Sequence, residues 1–271
     1  VVEAMYSYEI MYAAHGTLAF ADRCERVAYN ALPATWASPT GGDMWAHQYL
    51  QAVNEINASK GRFGAFDETS ICSWLHDYNK SDSEWRTAVQ NFVHSCAGYT
   101  VAMYVMGVAD RHPDNMMVKK DGHIFHIDFG HFLGHWKTKK VMGRRFKRER
   151  TRFVFTNGMA FVMHQPGVKE GGQRHYKQFV QLCCAAYNAL RRHGHTLIDL
   201  FRLMIPAAIP ELATLDDIAY LRDILSLEMT EAEAAEKFKR EIESSLRDKY
   251  RHLDDFIHQN KASLRKLKFW G

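Results

Sequence analysis

The sequence predicts an α+β fold that is mostly helical and contains one small antiparallel ribbon. Apolar residues recur at three- and four-residue steps along much of the chain after residue 175, which is the period of amphipathic helices. Two short apolar runs at 116–118 and 124–127 flank Asp121-Gly122, a residue pair typical of a tight hairpin turn. Helices that dominate the chain beside one short antiparallel ribbon are characteristic of the α+β class.

Two capping boxes and several apolar faces mark the predicted helices. Ser81 with Glu84, and Thr230 with Glu233, have the spacing at which side chains and backbone amides cap each other. We expect the apolar faces to pack into the core rather than to bind a ligand. These faces consist of Ile71, Trp74, Leu75 and Tyr78; Trp85, Val89, Phe92 and Cys96; Val180, Cys184, Tyr187 and Leu190; Ile218, Leu221 and Leu225; and Phe238, Ile242 and Leu246.

Composition argues against several classes of protein. No apolar run reaches the roughly 18 residues that suggest a membrane span, and no basic-then-apolar start suggests a secretory signal. Five cysteines without a C-x-x-C pair argue against a disulfide framework and a zinc site. We therefore expect a cytoplasmic protein, and the net charge of +4 is compatible with peripheral contact with membranes.

One asparagine and two aspartates have the spacing of a magnesium–nucleotide site. Asp110 and Asn115 show the offset of the H-R-D-x-x-x-x-N catalytic loop of protein kinases, and Asp128 opens a D-F-G triplet. The hairpin would place Asn115 and Asp128 at neighbouring strand ends. Mg²⁺ prefers oxygen ligands and usually takes one or two carboxylates, with phosphate and water completing its shell. The pattern predicts Asn115 and Asp128 as Mg²⁺ ligands in phosphoryl transfer from a nucleotide.

The order of the DRH triplet at residues 110–112 is the reverse of the order in protein kinases. Together with the HIDFGH segment at residues 126–131, it resembles the phosphoinositide 3-kinase family and its relatives. The resemblance covers nearly the whole chain and implies a protein-kinase-like C-terminal lobe, in which the ribbon carries the catalytic loop. Further segments that resemble the family are 95–99, 146–150, 210–212 and 216–221.

The resemblance also implies a division of the chain. Residues 1–271 would be the C-terminal lobe of a phosphoinositide 3-/4-kinase catalytic domain, with the N-terminal lobe outside the chain. Residues 1–10 would end the hinge between the lobes, and residues 61–271 would hold the catalytic and activation loops and the C-terminal helices. Residues 11–60, which contain Pro33 and Pro39, would be a variable insertion of loop and short helix. The chain alone is expected to be inactive.

Three apolar residues are implied to contact ATP. Val2 lies in the segment similar to the family's hinge, where backbone groups hydrogen-bond adenine. Met117 and Ile127 would form the apolar floor beneath the adenine, and both positions also suit an ordinary core.

Three residues are candidates for the general base. Asp110 occupies the position of the protein-kinase base, while His112 and His131 are of the residue type suited to proton transfer near neutral pH. We favour His112 as the base, His131 as a second base or phosphate contact, and Asp110 as their electrostatic support. Arg111 is expected to anchor the loop.

Nine basic residues and one acidic residue lie between Lys137 and Arg152. A solvated loop or a nucleic-acid contact would also explain such a run, but its position after D-F-G favours an acceptor rich in phosphate, and we expect no nucleic-acid partner. Arg binds phosphate in a bidentate manner, and Lys acts as a point charge. The candidate substrate contacts form two boxes, the first Lys137, Lys139 and Lys140, and the second Lys147, Arg148 and Arg150.

Class I members of the family resemble the chain in having both boxes, which implies ATP-dependent phosphorylation of the 3-hydroxyl of phosphatidylinositol 4,5-bisphosphate. Class II members keep the second box, and residues 182–188 look more like class II. The alternatives are a class II-like kinase acting on phosphatidylinositol or its 4-phosphate, a related Ser/Thr protein kinase, and a non-catalytic phosphoinositide-binding fragment. A regulatory subunit is compatible with the resemblance.

The C-terminal residues suggest contact with a membrane surface. Leu253, Ile257, Leu264 and Leu267 can share one helical face, with basic residues between them. Packing of this helix against the lobe is the alternative.

Overall fold

The computed structural model describes residues 2–28, 51–136, 138–141, 144–147, 151–164, 173–207, 209–248 and 251–260. Contacts group the chain into two compact units, Val1–Tyr49 and Leu50–Gly271. In the first unit, helix α1 (Val2–His15) packs against helix α2 (Leu18–Arg26). The thiol of Cys24 in α2 donates a hydrogen bond to the carbonyl of Met5 in α1 at 3.4 Å.

The described part of the first unit is more helical than the sequence predicts. The loop and short helix expected over residues 11–60 are replaced, as far as Arg26, by the end of α1 and by α2. Residues 2–26 contain no proline, so every residue there can donate its amide to a helix. Pro33 and Pro39, on which the expectation of a loop rests, lie outside the described residues. The division at residues 10 and 60 stays a prediction.

In the second unit, the predicted ribbon is part of a sheet with one further strand. Strand β1 (Gln51–Ala52), β2 (Met116–Val118) and β3 (Ile124–His126) form a three-stranded antiparallel sheet in that order. Met116 pairs with His126 and Val118 pairs with Ile124, which confirms the hairpin. The sequence did not predict β1, because two residues are too short to show an alternating pattern.

Gly122 shapes the turn of this hairpin. Its φ is 93°, and its amide donates to the Lys119 carbonyl at 2.9 Å. A Cβ atom at this position would lie 2.0 Å from the carbonyl oxygen of Ala88. Ala88 belongs to the long helix below the sheet, so the turn requires glycine for its conformation and for its close approach to that helix.

We expect Gly122→Ala to destabilise the protein by about 1–3 kcal/mol, because the positive φ and the contact with Ala88 both disfavour a side chain. Gly98→Ala is the matched control, since Gly98 lies in a helix where an added Cβ would meet no atom within 4 Å. That substitution should be neutral or stabilising by up to about 1 kcal/mol. Thermal unfolding of both variants measures the difference, and equal unfolding temperatures would contradict the role of Gly122.

The helices of the second unit surround one long central helix. Helix α5 (Asp82–Met106) packs extensively against α7 (Arg174–Arg192), and its buried face includes Val89, Phe92 and Cys96, as predicted. The other α-helices among the described residues of this unit are α3 (Val53–Ser59), α4 (Ser70–Tyr78), α6 (Asn157–His164), α7 (Arg174–Arg192), α8 (Gly194–Met204), α9 (Ala219–Leu225), α10 (Glu231–Leu246) and α11 (Arg251–Gln259).

Both predicted capping boxes are present. The Ser81 hydroxyl accepts from the Glu84 amide at 3.2 Å, and the Glu84 carboxylate accepts from the Ser81 amide at 3.0 Å. The same reciprocal pair joins Thr230 and Glu233 at the start of α10. These boxes satisfy amide groups that the first helical turn leaves without partners, so the local sequence determines where both helices begin.

The core contains an aromatic cluster between α5, α7 and α10. Tyr104 makes edge contacts with Tyr187 and Phe238, with ring centroids 5.5 and 4.8 Å apart. Tyr78 departs from its prediction, since it is 48% exposed at the end of α4. Its ring instead lies beneath the Lys120 ammonium, 4.5 Å from the centroid, where a cation and an aromatic face attract each other in solvent.

Candidate active site

Backbone hydrogen bonds join the two segments that the motifs predict to act together. Helix α5 ends at Gly107, whose carbonyl accepts a hydrogen bond from the Gly134 amide at 3.1 Å. The Ala109 amide donates to the His131 carbonyl at 2.9 Å, and the Leu133 amide donates to the Met106 carbonyl at 2.7 Å. The segment after D-F-G is therefore attached to the start of the catalytic loop.

Close packing by Tyr220 leaves no room for side chains at this junction. A Cβ on Gly107 or Gly134 would lie 2.5 or 2.6 Å from the Tyr220 ring. The Tyr220 hydroxyl donates to the Tyr104 carbonyl in the last turns of α5 at 2.8 Å. Burial raises the pKa of this hydroxyl to about 12, so it remains a donor. Through Tyr220, helix α9 therefore packs against the start of the catalytic loop.

Arg111 fastens the catalytic loop to the strand end that carries Asp128. The side chain is 3% exposed, and its guanidinium donates to the carbonyls of Ala109 at 2.9 Å and Ile127 at 2.6 Å. It also donates to the Asp128 carbonyl and lies over the Phe129 ring, 5.6 Å from the centroid. The planar donor fork of arginine suits such a set of acceptors, and the contacts support the anchoring role.

Asn115 and Asp128 are adjacent at one edge of the sheet. The Ile127 amide donates to the Asn115 carbonyl at 3.0 Å, which extends the β2–β3 pairing to the residue before Asp128. The Asn115 side-chain amide donates to the Asp110 carbonyl at 3.0 Å, so its nitrogen is engaged and its oxygen is the atom suited to a metal. The structure thus brings together the two predicted metal ligands.

The donor set suits Mg²⁺. Asn115 supplies an amide oxygen and is 5% exposed, while Asp128 supplies an exposed carboxylate. Within the described ranges no group of three or more His, Cys, Asp and Glu side chains could hold a metal ion. Few protein ligands, all of them oxygens, are what Mg²⁺ uses when phosphate and water complete its shell.

Both aspartates of the motif have left-handed backbone conformations. The φ of Asp110 is 57° and that of Asp128 is 61°, where few residues other than glycine, asparagine and aspartate are found. Between them, His112 is extended (φ −121°, ψ 166°), as expected for a residue before proline. Unusual backbone conformations concentrate at functional sites, and here they mark the two carboxylates of the predicted centre.

The two candidate histidine bases lie on different segments. His112 precedes the short helix Pro113–Asn115 and is half-buried. The side chain of His131 is 38% exposed, and its Nδ1 lies 2.5 Å from Oε1 of Glu211. The sequence places Glu211 only within a family-like segment and indicates no role for it, because a partner 80 positions away leaves no local signal.

A third histidine, His126, has a structural role in strand β3 rather than a catalytic one. Burial, followed by the charges of Arg111 and Arg251, lowers the pKa of His126 to about 3. The ring stacks on Tyr99 with centroids 5.5 Å apart. The side chain is therefore neutral near pH 7 and packs as an aromatic residue.

The predicted ATP contacts are placed in part. Met117 is 8% exposed on β2, two residues after Asn115, and Ile127 is half-buried directly before Asp128. Either position serves the core as well. Val2 begins α1 in the other unit, and its role at the adenine stays a prediction.

The basic run is partly a hairpin, where the sequence suggests a loop. Strand β4 (Thr138–Val141) pairs antiparallel with β5 (Arg144–Lys147), and Thr138 lies opposite Lys147. Lys139, Lys140 and Lys147 are therefore on neighbouring strands. Their side chains lie outside the described part of the chain, as do Lys137, Arg148 and Arg150 entirely. Threonine and valine in β4 favour an extended backbone. The sequence did not predict this strand, because the many charged residues around them suggest a loop.

The start of the C-terminal helix packs against the lobe. Arg251 donates to the Arg111 carbonyl at 2.5 Å and forms an ion pair with Asp255 at 3.1 Å. Phe256 stacks on Phe63 with centroids 5.5 Å apart. The packing alternative is therefore supported for α11, whereas Leu264 and Leu267 lie outside the described residues. No helix among the described residues combines the length and the apolarity of a membrane span.

The lobe is helical, and its small antiparallel sheet presents a DRH loop, an asparagine and the D-F-G aspartate. This is the fold of a kinase-like C-terminal lobe. Comparison with known proteins refines this class. The family described as phosphatidylinositol 3- and 4-kinase matches residues 25–214. The chain belongs to this family, which confirms the resemblance and the fold inferred from the motifs.

Similar proteins carry phosphatidylinositol 3-kinase names. The human phosphatidylinositol 4-phosphate 3-kinase C2 domain-containing subunit beta is 43% identical over 221 residues, 82% of this chain and 13% of that protein. Phosphatidylinositol 3-kinase 1 of Dictyostelium discoideum is 45% identical over 200 residues, 73% of this chain and 12% of that protein. The rat phosphatidylinositol 3-kinase C2 domain-containing subunit gamma is 38% identical over 206 residues, 75% of this chain and 13% of that protein. The chain therefore spans a small part of its relatives.

Proposed function

We propose that the protein containing this chain transfers the γ-phosphoryl group of ATP to the 3-hydroxyl of an inositol phospholipid at a membrane surface. The observation that carries the proposal is the convergence of Asp110, Asn115 and Asp128, held together by Arg111 and by the Ile127–Asn115 hydrogen bond. Family membership favours an inositol lipid as the acceptor. The proposed location is cytoplasmic and peripheral at membranes, where a regulatory subunit could also act.

The described residues support a division of labour. Asn115 and Asp128 would hold Mg²⁺, which when bound neutralises charge on the phosphates. Arg111 keeps these ligands at a fixed distance, because its donors link the catalytic loop to the Ile127 and Asp128 carbonyls. Asp110 would support the candidate histidines electrostatically, and one of these histidines would accept the proton of the lipid hydroxyl.

For the acceptor, we propose phosphatidylinositol 4,5-bisphosphate. The antiparallel register of β4 and β5 supports this choice, because it aligns the first basic box with the start of the second instead of separating them along an extended loop. Two boxes side by side concentrate positive charge for a headgroup with two phosphates. The 4-phosphate is the competing substrate, since one similar human protein is named a phosphatidylinositol 4-phosphate 3-kinase.

The test uses the parent protein with labelled ATP and vesicles that contain phosphatidylinositol, its 4-phosphate or its 4,5-bisphosphate. Label in the trisphosphate supports the proposed acceptor. Label confined to the less phosphorylated lipids favours the class II-like alternative. Label on a peptide and on none of the lipids would replace the proposal with a protein kinase, and binding to lipid without transfer would replace it with a binding module.

Replacing Lys137, Lys139 and Lys140 together with Ala should reduce use of the bisphosphate about 10-fold or more relative to phosphatidylinositol. Losing several phosphate contacts weakens the binding of the more highly charged headgroup most, and about 1.4 kcal/mol corresponds to a factor of ten. The ratio of kcat/KM for the two lipids measures this selectivity. Replacing the exposed Lys60, Lys80 and Lys239 with Ala is the charge-matched control. An equal loss on both lipids would contradict the role of the first box.

A further inference from the structure

Glu211 lies in a tight turn that projects its side chain towards the segment after D-F-G. The turn is closed by a hydrogen bond from the Leu212 amide to the Ile209 carbonyl at 2.9 Å, and Leu212 is fully buried. The Glu211 side chain is 15% exposed. A buried neighbour and a closed turn give this carboxylate a defined position.

Both oxygens of Glu211 are engaged by consecutive residues. Oε1 lies 2.5 Å from Nδ1 of His131, and Oε2 accepts the backbone amide of Phe132 at 2.5 Å. His131 is also held through its carbonyl, which accepts the Ala109 amide at 2.9 Å. Glu211 therefore fixes the ring of His131, and the catalytic loop fixes the backbone of the same residue.

The chemistry of the pair determines which ring nitrogen is basic. An ionised carboxylate can only accept hydrogen bonds, so in the neutral imidazole of His131 Nδ1 carries the hydrogen and Nε2 keeps its lone pair. Because the side chain is 38% exposed, an acceptor molecule can approach it. His131 also lies only three positions after the metal-ligand candidate Asp128. A carboxylate that sets the tautomer and orientation of a histidine is a common feature of catalytic sites.

We propose that Glu211 is a positioning residue that makes His131 the general base for the acceptor hydroxyl. This inference rests on the proposed function and selects His131 over His112. The hydroxyl proton moves to Nε2 of His131 as the hydroxyl oxygen forms its bond to the γ-phosphorus. The bond from that phosphorus to the bridging oxygen breaks with its electron pair, which leaves on ADP. The imidazolium then returns its proton to solvent.

Glu211→Gln tests the role of the carboxylate with little change in shape. The Phe132 amide needs an acceptor, so the glutamine oxygen faces it and the NH₂ group faces Nδ1. An NH₂ donor favours the tautomer with hydrogen on Nε2, which removes the lone pair that accepts the substrate proton. In the parent protein we expect kcat for lipid phosphorylation to fall about 10²–10⁴-fold, the usual contribution of a general base. The KM for ATP should change less than about 2-fold, because the substitution leaves the binding of ATP in the ground state unchanged.

A nearby pair provides the matched control. Nε2 of His135 lies 3.3 Å from Oδ1 of Asp217, the same chemistry four residues further along the chain. Asp217→Asn makes the same change from carboxylate to amide and should leave kcat within about 2-fold. Glu211→Asp, which restores an acceptor on a shorter side chain, should recover part of the activity that Glu211→Gln loses.

A double-mutant cycle separates positioning from structural support. If Glu211 acts through His131, adding Glu211→Gln to His131→Ala should cost less than about 3-fold further in kcat, because residues that act as a unit are strongly non-additive. Additive losses, or an equal fall in ATP binding measured with a fluorescent ATP analogue, would show a structural role and overturn the inference. An active parent whose Glu211→Gln variant keeps half of its kcat overturns this inference alone. A parent that labels no lipid overturns the proposed function as well.

Discussion

Asp128→Ala is expected to abolish phosphoryl transfer, with a loss of about 10³-fold or more in kcat, and to leave lipid binding intact. Asp128 is the only carboxylate of the D-F-G segment. The metal that it would hold neutralises negative charge on the phosphoryl group during transfer. Its side chain is exposed at the edge of the sheet. Removing this carboxylate therefore leaves no buried group without a hydrogen-bond partner, and we expect it to lower activity more than stability.

The backbone conformation of Asp128 makes a second variant necessary, because alanine at this position would also introduce strain. The φ of Asp128 is 61°, and alanine in this region costs about 1 kcal/mol or more. Asn tolerates the same conformation, so Asp128→Asn removes the charge without adding strain. Vesicle co-sedimentation measures lipid binding, and labelled ATP measures transfer. Asp77→Asn, an exposed aspartate on α4, is the control, and wild-type turnover in both Asp128 variants would refute the metal site.

The second large effect is expected at Arg111. Arg111→Lys keeps the positive charge but replaces the planar donor fork with one ammonium group, which cannot reach the carbonyls of Ala109, Ile127 and Asp128 together. Each buried acceptor left without a donor costs about 1–3 kcal/mol. The catalytic loop would then lose its attachment to the Asp128 strand end. We expect kcat per folded molecule to fall about 100-fold or more, since small displacements at a reacting centre have effects of this size.

Arg191 is a matched control for this effect. Its side chain is 7% exposed and donates to the carbonyls of Leu225 at 2.8 Å and Ser226 at 2.8 Å, far along the chain from the motif. Arg191→Lys should lower the unfolding temperature much as Arg111→Lys does, yet leave kcat per folded molecule unchanged. Active-site titration with a tight nucleotide analogue corrects for unfolded protein. Equal kcat values for Arg111→Lys and Arg191→Lys would contradict the proposed role of Arg111 in positioning the catalytic loop.

Local features of the fold were predictable because they depend on neighbouring residues. The capping boxes of α5 and α10 involve positions three apart, so the pattern of side chains alone shows where each helix begins. The hairpin follows from two apolar runs around Asp121-Gly122. By contrast, the two-residue strand β1 and the exposure of Tyr78 depend on what packs beside them, which no local pattern records.

The candidate site divides in the same way. The spacing of Asp110, Asn115 and Asp128 indicated the chemistry, because a hairpin converts a fixed separation along the chain into adjacency at one sheet edge. The pairing of the basic boxes across β4 and β5 was not predicted, since the charge pattern carries no register.

By itself, the sequence determined the family, the starts of α5 and α10, the hairpin and the residues that are candidates to hold a metal. Only the tertiary structure decided how those residues are held. It placed the Arg111 guanidinium against the carbonyls of Ile127 and Asp128, and the Glu211 carboxylate against His131. These contacts join positions up to 80 residues apart. The physical reason is that hydrogen bonds and packing act through space, so partners distant in sequence meet only when the chain has folded.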